Sequence, residues 1–287
     1  MSWAFGELAP FDVETTGVDV ESARIVTAAV GHIVPGAEPA MESHLLAVDV
    51  DIPAEATEVH GITTEYARQH GRPAVEVLEA VADRLAKLLA AGVPVVGMNV
   101  AFDLTILDRE LRRNDLALLN ARLGRPVAPV IDVFVIDKAV DRFRRGGRKL
   151  VDLCSHYGVR LDDAHDASAD ALAAARVAYA MCRRATAEPG AVAAMYGDRP
   201  RQAPHIADAF VRLGGMNLAE LHEAQRHWFA EQGESLAAYF RRQASEEAAR
   251  AEQLTDDGER EQVLQDVERL RDRADGVLTE WPMVVIT

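Results

Sequence analysis

The sequence predicts an α/β fold: a mixed sheet flanked by helices, with a helical C-terminal extension. Three observations carry this. Strand-like apolar runs fill the first fifty residues and are joined by short loops, as antiparallel strands are. From Pro73 onward, short apolar strands alternate with amphipathic helical stretches. Beyond Pro204 the strand signal is almost gone and helical periodicity remains.

The first strand lies within Leu8–Asp19, L-A-P-F-D-V-E-T-T-G-V-D, and runs into a Thr-Thr-Gly turn. Arg24 to Val34 and Met41 to Val48 read as strands two and three, separated by Gly36 and Pro39. Asp51 to Thr64 reads as a loop with a short helical piece. Pro73 opens a helix through about Ala91, with Val77, Leu78, Val81, Leu85, Leu88 and Leu89 on one side. Val93 to Met98 is a short apolar strand, followed by a helix from Leu104 to about Leu119. Val130 to Val135 reads as a further strand or strand end, carrying Asp132. Leu150 to Tyr157 is a short helix, and Ala169 to Arg184 an alanine-rich one.

These readings divide the chain into a catalytic domain, 1–187, a linker, 188–204, and a helical extension, 205–287. Pro and Gly in P-G-A and G-D-R-P mark the linker. In the extension, Leu213 to Ala251 reads as a helix interrupted at Gly233, and Glu259 to Asp275 as a second, heavily charged one. Helices of this kind cannot bury their apolar stripes alone, so they must pack on the first domain, on each other or on a partner.

The chain has 287 residues, 49% of them hydrophobic, and a formal charge of −15. Such an acidic balance argues against a protein that coats nucleic acid through bulk charge, and says nothing against a nuclease. No apolar run reaches the length of a membrane span and no signal-peptide pattern opens the chain, so no membrane association is expected and a cytoplasmic location is. The two cysteines, Cys154 and Cys182, lie in apolar helical contexts and fit a reducing compartment.

The chemistry begins at Asp12 and Glu14. Strand period is two, so their carboxylates leave the same face. Two like charges side by side are costly unless a cation sits between them, and a divalent metal is the obvious one. Thr15, Thr16 and Gly17 follow as a turn that can bring backbone N–H groups to a ligand. Asp103, in N-V-A-F-D, follows an apolar strand, where ligands of α/β sheets collect; it would equally serve as a helix cap. Asp170 falls early in the alanine-rich helix, whose small residues allow close approach to the sheet. His165 stands just before that helix, free to titrate near neutrality and take a proton. Together Asp12, Glu14 and Asp170 can hold one divalent ion, and Asp12 with Asp103 can help hold a second, an arrangement suited to phosphodiester hydrolysis.

This set resembles the DEDDh branch of the DnaQ-like 3′–5′ exonucleases, on a ribonuclease H-like fold. The motifs are F-D-V-E-T-T-G (Phe11–Gly17), N-V-A-F-D (Asn99–Asp103) and H-D-A-S-A-D (His165–Asp170), and the likeness spans about residues 7–185. It implies Mg²⁺ or Mn²⁺, two ions per site, a nucleic acid with a free 3′ end, and release of nucleoside 5′-monophosphates. It implies that Asp12, Glu14, Asp103 and Asp170 serve the metals and His165 is the general base. Thr15, Thr16, Gly17 and Val18 would border the terminal nucleotide, with Val18 a smaller wedge than relatives often carry. His60 and Ile62 would line its sugar and base, and Asn99 and Phe102 would also be substrate-binding residues. DNA is the expected substrate, with RNA as the alternative, and a non-catalytic adaptor would have lost one of the acids.

Lys138, Arg142, Arg144, Arg145, Arg148 and Lys149 form a basic run around Gly146 and Gly147. Arg145, Arg148 and Lys149 are the residues expected to meet phosphates of the incoming strand. The tail stretch His227 to Arg242 resembles extensions on some actinobacterial members of the family. The extension as a whole, 205–287, is net negative and so a poor clamp for nucleic acid, and a protein partner or self-association is its expected use.

Overall fold

The computed structural model describes residue 3 and residues 5–162, 166–277 and 279–284. In chain order the elements are β1 (Ala9–Thr15), β2 (Ile25–His32), β3 (Ala40–Ala47), α1 (Ala54–His60), α2 (Thr64–His70), β4 (Arg72–Pro73) and α3 (Ala74–Ala90). Then come β5 (Val95–Gly97), α4 (Val100–Arg113), α5 (Leu119–Leu123), β6 (Val130–Asp132), α6 (Val133–Val140), α7 (Leu150–Tyr157) and α8 (Ala167–Ala185). The last are α9 (Pro189–Ala194), α10 (Ala203–Gly214), α11 (Leu218–Ala251) and α12 (Asp257–Asp275). Packing divides the chain into two compact units, residues 1–225 and 226–287.

The first unit holds a six-stranded sheet in the order β4-β3-β2-β1-β5-β6, flanked by helices. The β1–β2 and β2–β3 pairs are antiparallel, while β5 runs parallel to both β1 and β6. This is the mixed sheet that the order of strands and helices predicts. The central strand β1 buries Phe11 and Val13 and leaves Asp12 and Glu14 partly exposed, as period two requires. Across the β1–β2 pair, Asp12 faces Ala29 and Glu14 faces Thr27, small neighbours that leave room above the carboxylates.

Two close approaches set the site. α8 packs on β1 and β2, and Ala171, Ala174, Ala175 and Ala178 along it are fully or nearly buried. At Gly97, where β5 ends, a Cβ would lie 2.9 Å from the Phe11 carbonyl oxygen and 3.0 Å from Val100 Cβ, so only glycine fits between β1 and the start of α4. Asn99 then takes the left-handed conformation (φ 59°) that asparagine tolerates, which turns the chain into α4.

Several expected boundaries move. The strand expected over Val130–Val135 ends at Asp132, because the Asp132 side chain accepts from the Phe134 and Val135 N–H groups and caps α6. Residues 188–204, expected as a linker, hold α9 and the start of α10. α10 packs on α9 and α8, burying Ile206, Phe210 and Leu213, and the Leu213 carbonyl accepts from the Trp3 indole at 3.2 Å. The helix expected from Leu213 is two helices, α10 and α11, and α11 continues through Gly233 without a break.

The second unit is a helical hairpin built from α11 beyond Gln225 and α12. Ala237, Phe240 and Ala244 are buried on one helix, Val263, Val267 and Ala274 on the other. Arg273 lies 4.3 Å over the Phe240 ring and Arg241 pairs with Asp275 at 3.3 Å. No helix among the described residues is long and apolar enough to cross a membrane.

Candidate active site

Asp12 and Glu14 rise from one face of β1, and Asp170 meets them from the first turn of α8. The three offer carboxylate oxygens that all lie within 4.8 Å of one another. Asp103, 4% exposed, reaches in from the first turn of α4, where its Oδ1 accepts the Val13 N–H at 3.2 Å. The β1–β5 pairing reaches no further than Pro10 and Val96. Beyond it, Asp103 supplies a side-chain acceptor to the β1 backbone. The four acids that the sequence singles out therefore converge.

Their charges oppose one another. Burial, then the charges of Asp103, Asp170, Glu14 and Asp166, hold the Asp12 carboxyl well above the ordinary carboxylate range. Burial, Asp170 and Asp166 push Glu14 up to about 7. Asp103 is also held well above its usual value, chiefly by burial and against the opposing hydrogen bond from Val13. The negative potential reaches the neighbouring helix, where burial and Asp170 push the Cys154 thiol up to about 11. An all-oxygen set under this repulsion fits a hard divalent cation.

His165, the expected general base, lies outside the described residues. Its neighbour Asp166 caps α8 by accepting the Ala169 N–H at 2.9 Å, and adds a further charge to Asp12 and Glu14. In the turn after β1, the Thr15 hydroxyl donates to the Gly17 carbonyl at 2.7 Å. Buried Thr16 donates its N–H to the Arg24 carbonyl and accepts the Arg24 N–H on its hydroxyl, both at 2.9 Å. The turn is thus rigid and presents Val18, 92% exposed, at its tip. Asn99 and Phe102 stand beside Asp103 at the start of α4. His60 ends α1, with its Nδ1 accepting the Ile62 N–H at 3.1 Å, and Ile62 packs against Val26, Val48, Ile52 and Ala67.

The basic run divides. Arg148 donates to Asp137 at 2.7 Å and Arg144 to the same carboxylate at 3.1 Å, so both are committed to an ion pair on α6. Arg145 and Lys149 are exposed.

The sequence reading gave no role to three supporting residues, though it noted Asp132 on its strand. Buried Asp132 accepts the Asn99 N–H at 2.9 Å as well as capping α6, and so fixes the turn that delivers Asp103. Gln225 on α11 acts as a peptide group toward the β6 edge: its Oε1 accepts the Asp132 N–H at 2.7 Å and its Nε2 donates to the Val130 carbonyl at 2.9 Å. His222 Nδ1 accepts the Val130 N–H at 3.2 Å. Asp132 and Asp166 had a signal, an acid directly before a helix; Gln225 had none.

The mixed sheet and its converging carboxylates are the framework of an exonuclease-family domain. Residues 10–178, more than half of the chain, match the family model described as Exonuclease (RNase_T), and the chain belongs to that family. It is 28% identical over 195 residues to the PolC-type DNA polymerase III of Lacticaseibacillus paracasei, covering 68% of this chain and 12% of that protein. The corresponding polymerase of Latilactobacillus sakei is 27% identical over 180 residues, covering 62% and 11%. The chain thus spans only about a tenth of these relatives' length. Exonuclease I from Methylocaldum szegediense shares the fold at a TM-score of 0.50 and 24% identity, over 62% of this chain and 41% of that one. A second exonuclease I structure gives a TM-score of 0.50 and 23% identity, with the same coverage.

Proposed function

We propose that the chain is a divalent-metal-dependent exonuclease that removes nucleotides from single-stranded or frayed 3′ ends of DNA and releases nucleoside 5′-monophosphates. The observation that carries this reading is the convergence of Asp12, Glu14 and Asp170, with Asp103 buried beside them. Those four would hold Mg²⁺ or Mn²⁺, two ions per site, which when bound supply positive charge to the phosphodiester and acidify water.

The chain's own residues do the rest. His165 takes the proton from the attacking water, whose oxygen bonds to phosphorus as the P–O3′ bond breaks and O3′ takes up a proton from solvent as the new 3′-hydroxyl. The rigid turn from Thr15 to Val18 borders the terminal nucleotide, and Asn99 and Phe102 border it from the α4 side. Arg145 and Lys149 meet backbone phosphates upstream, a role for which their exposure suits them better than that of Arg148. DNA rather than RNA is supported by the likeness to two DNA polymerases.

Matched DNA and RNA oligonucleotides, hydrolysed side by side with Mg²⁺, test the substrate. Faster cleavage of RNA would overturn the DNA assignment. His165→Ala should lower the rate by about 10²–10⁴-fold and weaken the acidic limb of the pH–rate profile. An unchanged rate and profile would remove His165 from the mechanism.

A further inference from the structure

A second pocket opens between the loop joining α6 to α7, the C-terminal turn of α8 and the segment after α9. Asp170 lies in the first turn of α8 and Arg184 in its last, fourteen positions on. At about 1.5 Å per residue, they stand about 21 Å apart along the helix axis. The pocket is therefore separate from the carboxylate site.

Its chemistry is unusual for a chain of net charge −15. Arg144, Arg145, Arg184, Arg199 and Arg201 line it, against Asp198 as the acid among the lining residues. Three of these guanidiniums are held in place. Arg144 bonds Asp137, and Arg199 forks onto Asp141 at 2.5 and 2.7 Å. Arg184 lies 4.4 Å over the Tyr157 ring and donates to the Tyr196 hydroxyl and the His156 carbonyl, each at 2.8 Å. Arg145 and Arg201 are exposed and form no ion pair with a described residue. At the rim, Phe143 and Met195 are 77% and 57% exposed. Fixed arginines at the wall, uncompensated ones at the mouth and apolar side chains beside them match a phosphate with a stacking base.

We propose that this pocket is a second nucleotide-phosphate site, placed to hold the substrate strand upstream of its 3′ end. The strand assignment rests on the exonuclease reading. At about 3.4 Å per stacked nucleotide, 21 Å corresponds to about six nucleotides. A trimer at the carboxylates would not reach the pocket, whereas a 16-mer would. A free nucleoside 5′-monophosphate carries the same chemistry and is the other source of such a phosphate.

The test uses the full chain with R201Q, and with D198N as a change of opposite sign. Binding of fluorescent dT16 and dT3 is measured in EDTA, and hydrolysis of the trimer in Mg²⁺. R201Q should weaken dT16 binding by about fivefold at 0.1 M salt and lower the salt slope by about 0.7, the share of one single-strand phosphate contact. D198N should tighten it, and both should leave dT3 binding and trimer hydrolysis unchanged. If dT16 affinity holds but inhibition by a nucleoside 5′-monophosphate weakens in R201Q, the site stands with the free nucleotide as its occupant. If neither responds to either substitution, the proposal is wrong. Arg201-dependent binding by a protein that shortens no oligonucleotide would refute the exonuclease reading and leave the pocket assignment standing.

Discussion

Replacing Glu14 by glutamine should stabilise the metal-free protein while removing its metal-dependent activity. Glu14 is pushed from 4.5 up to about 7 by burial and by the charges of Asp170 and Asp166. A carboxyl raised in the folded state binds its proton there more tightly than in the unfolded chain. Stability is therefore full below about pH 4.5 and falls as pH rises toward 7. Unscreened, that rise corresponds to about 3 kcal/mol at pH 7. The side chain is partly exposed, and solvent screening reduces this to about 1–2 kcal/mol. Glu14→Gln removes the charge and keeps the shape, so thermal unfolding in EDTA at pH 7 should shift upward by about 2–4 °C for a chain of this size. The gap should nearly close at pH 5, and Mg²⁺ should stabilise the wild type much more than the variant. An unchanged or lower midpoint at pH 7 would mean that the carboxylates are already compensated, and that their convergence is not a site waiting for a cation.

Three further outcomes follow from the same geometry. Asp12→Asn, at the centre of the repulsive set, should cost several kcal/mol of transition-state stabilisation, and activity within tenfold of wild type at saturating Mg²⁺ would exclude Asp12 as a shared ligand. Gln225→Leu strands the Asp132 N–H and the Val130 carbonyl, at about 1–3 kcal/mol each. It should lower the unfolding midpoint and reduce kcat more than KM, because Asp132 holds the turn before Asp103; a change in KM alone would deny that link. A chain ending at Ala194 loses α10 and the Gln225 contact to β6, so it should be markedly destabilised, whereas one ending near Gly233 should unfold close to the full-length midpoint.

The site was legible where chemistry and period coincide. Asp12 and Glu14 on a strand face and Asp170 among alanines each follow from local pattern, as does the order of sheet elements. What escaped depends on partners far along the chain. The apolar run V-I-D-V-F-V favours a strand, yet the Asp132 side chain captures two N–H groups and starts a helix there. Pro and Gly in residues 188–204 suggested a linker, but Pro189 and Pro204 sit in the first turns of α9 and α10, where proline is tolerated. Gly233 suggested a break; one glycine within a 34-residue helix costs too little to make one. The β4 strand is two residues long and pairs parallel with β3, too short for any periodicity to reveal. Gln225 completes the β6 edge from over ninety residues away, with nothing in its own neighbourhood to announce it.

The most direct measurement is product analysis on a 5′-labelled single-stranded DNA with Mg²⁺. The converging carboxylates predict a ladder that shortens one nucleotide at a time from the 3′ end, releases nucleoside 5′-monophosphates, stops with EDTA and is lost in Asp12→Asn. Internal cleavage, shortening that persists in EDTA, or full activity in Asp12→Asn would contradict it.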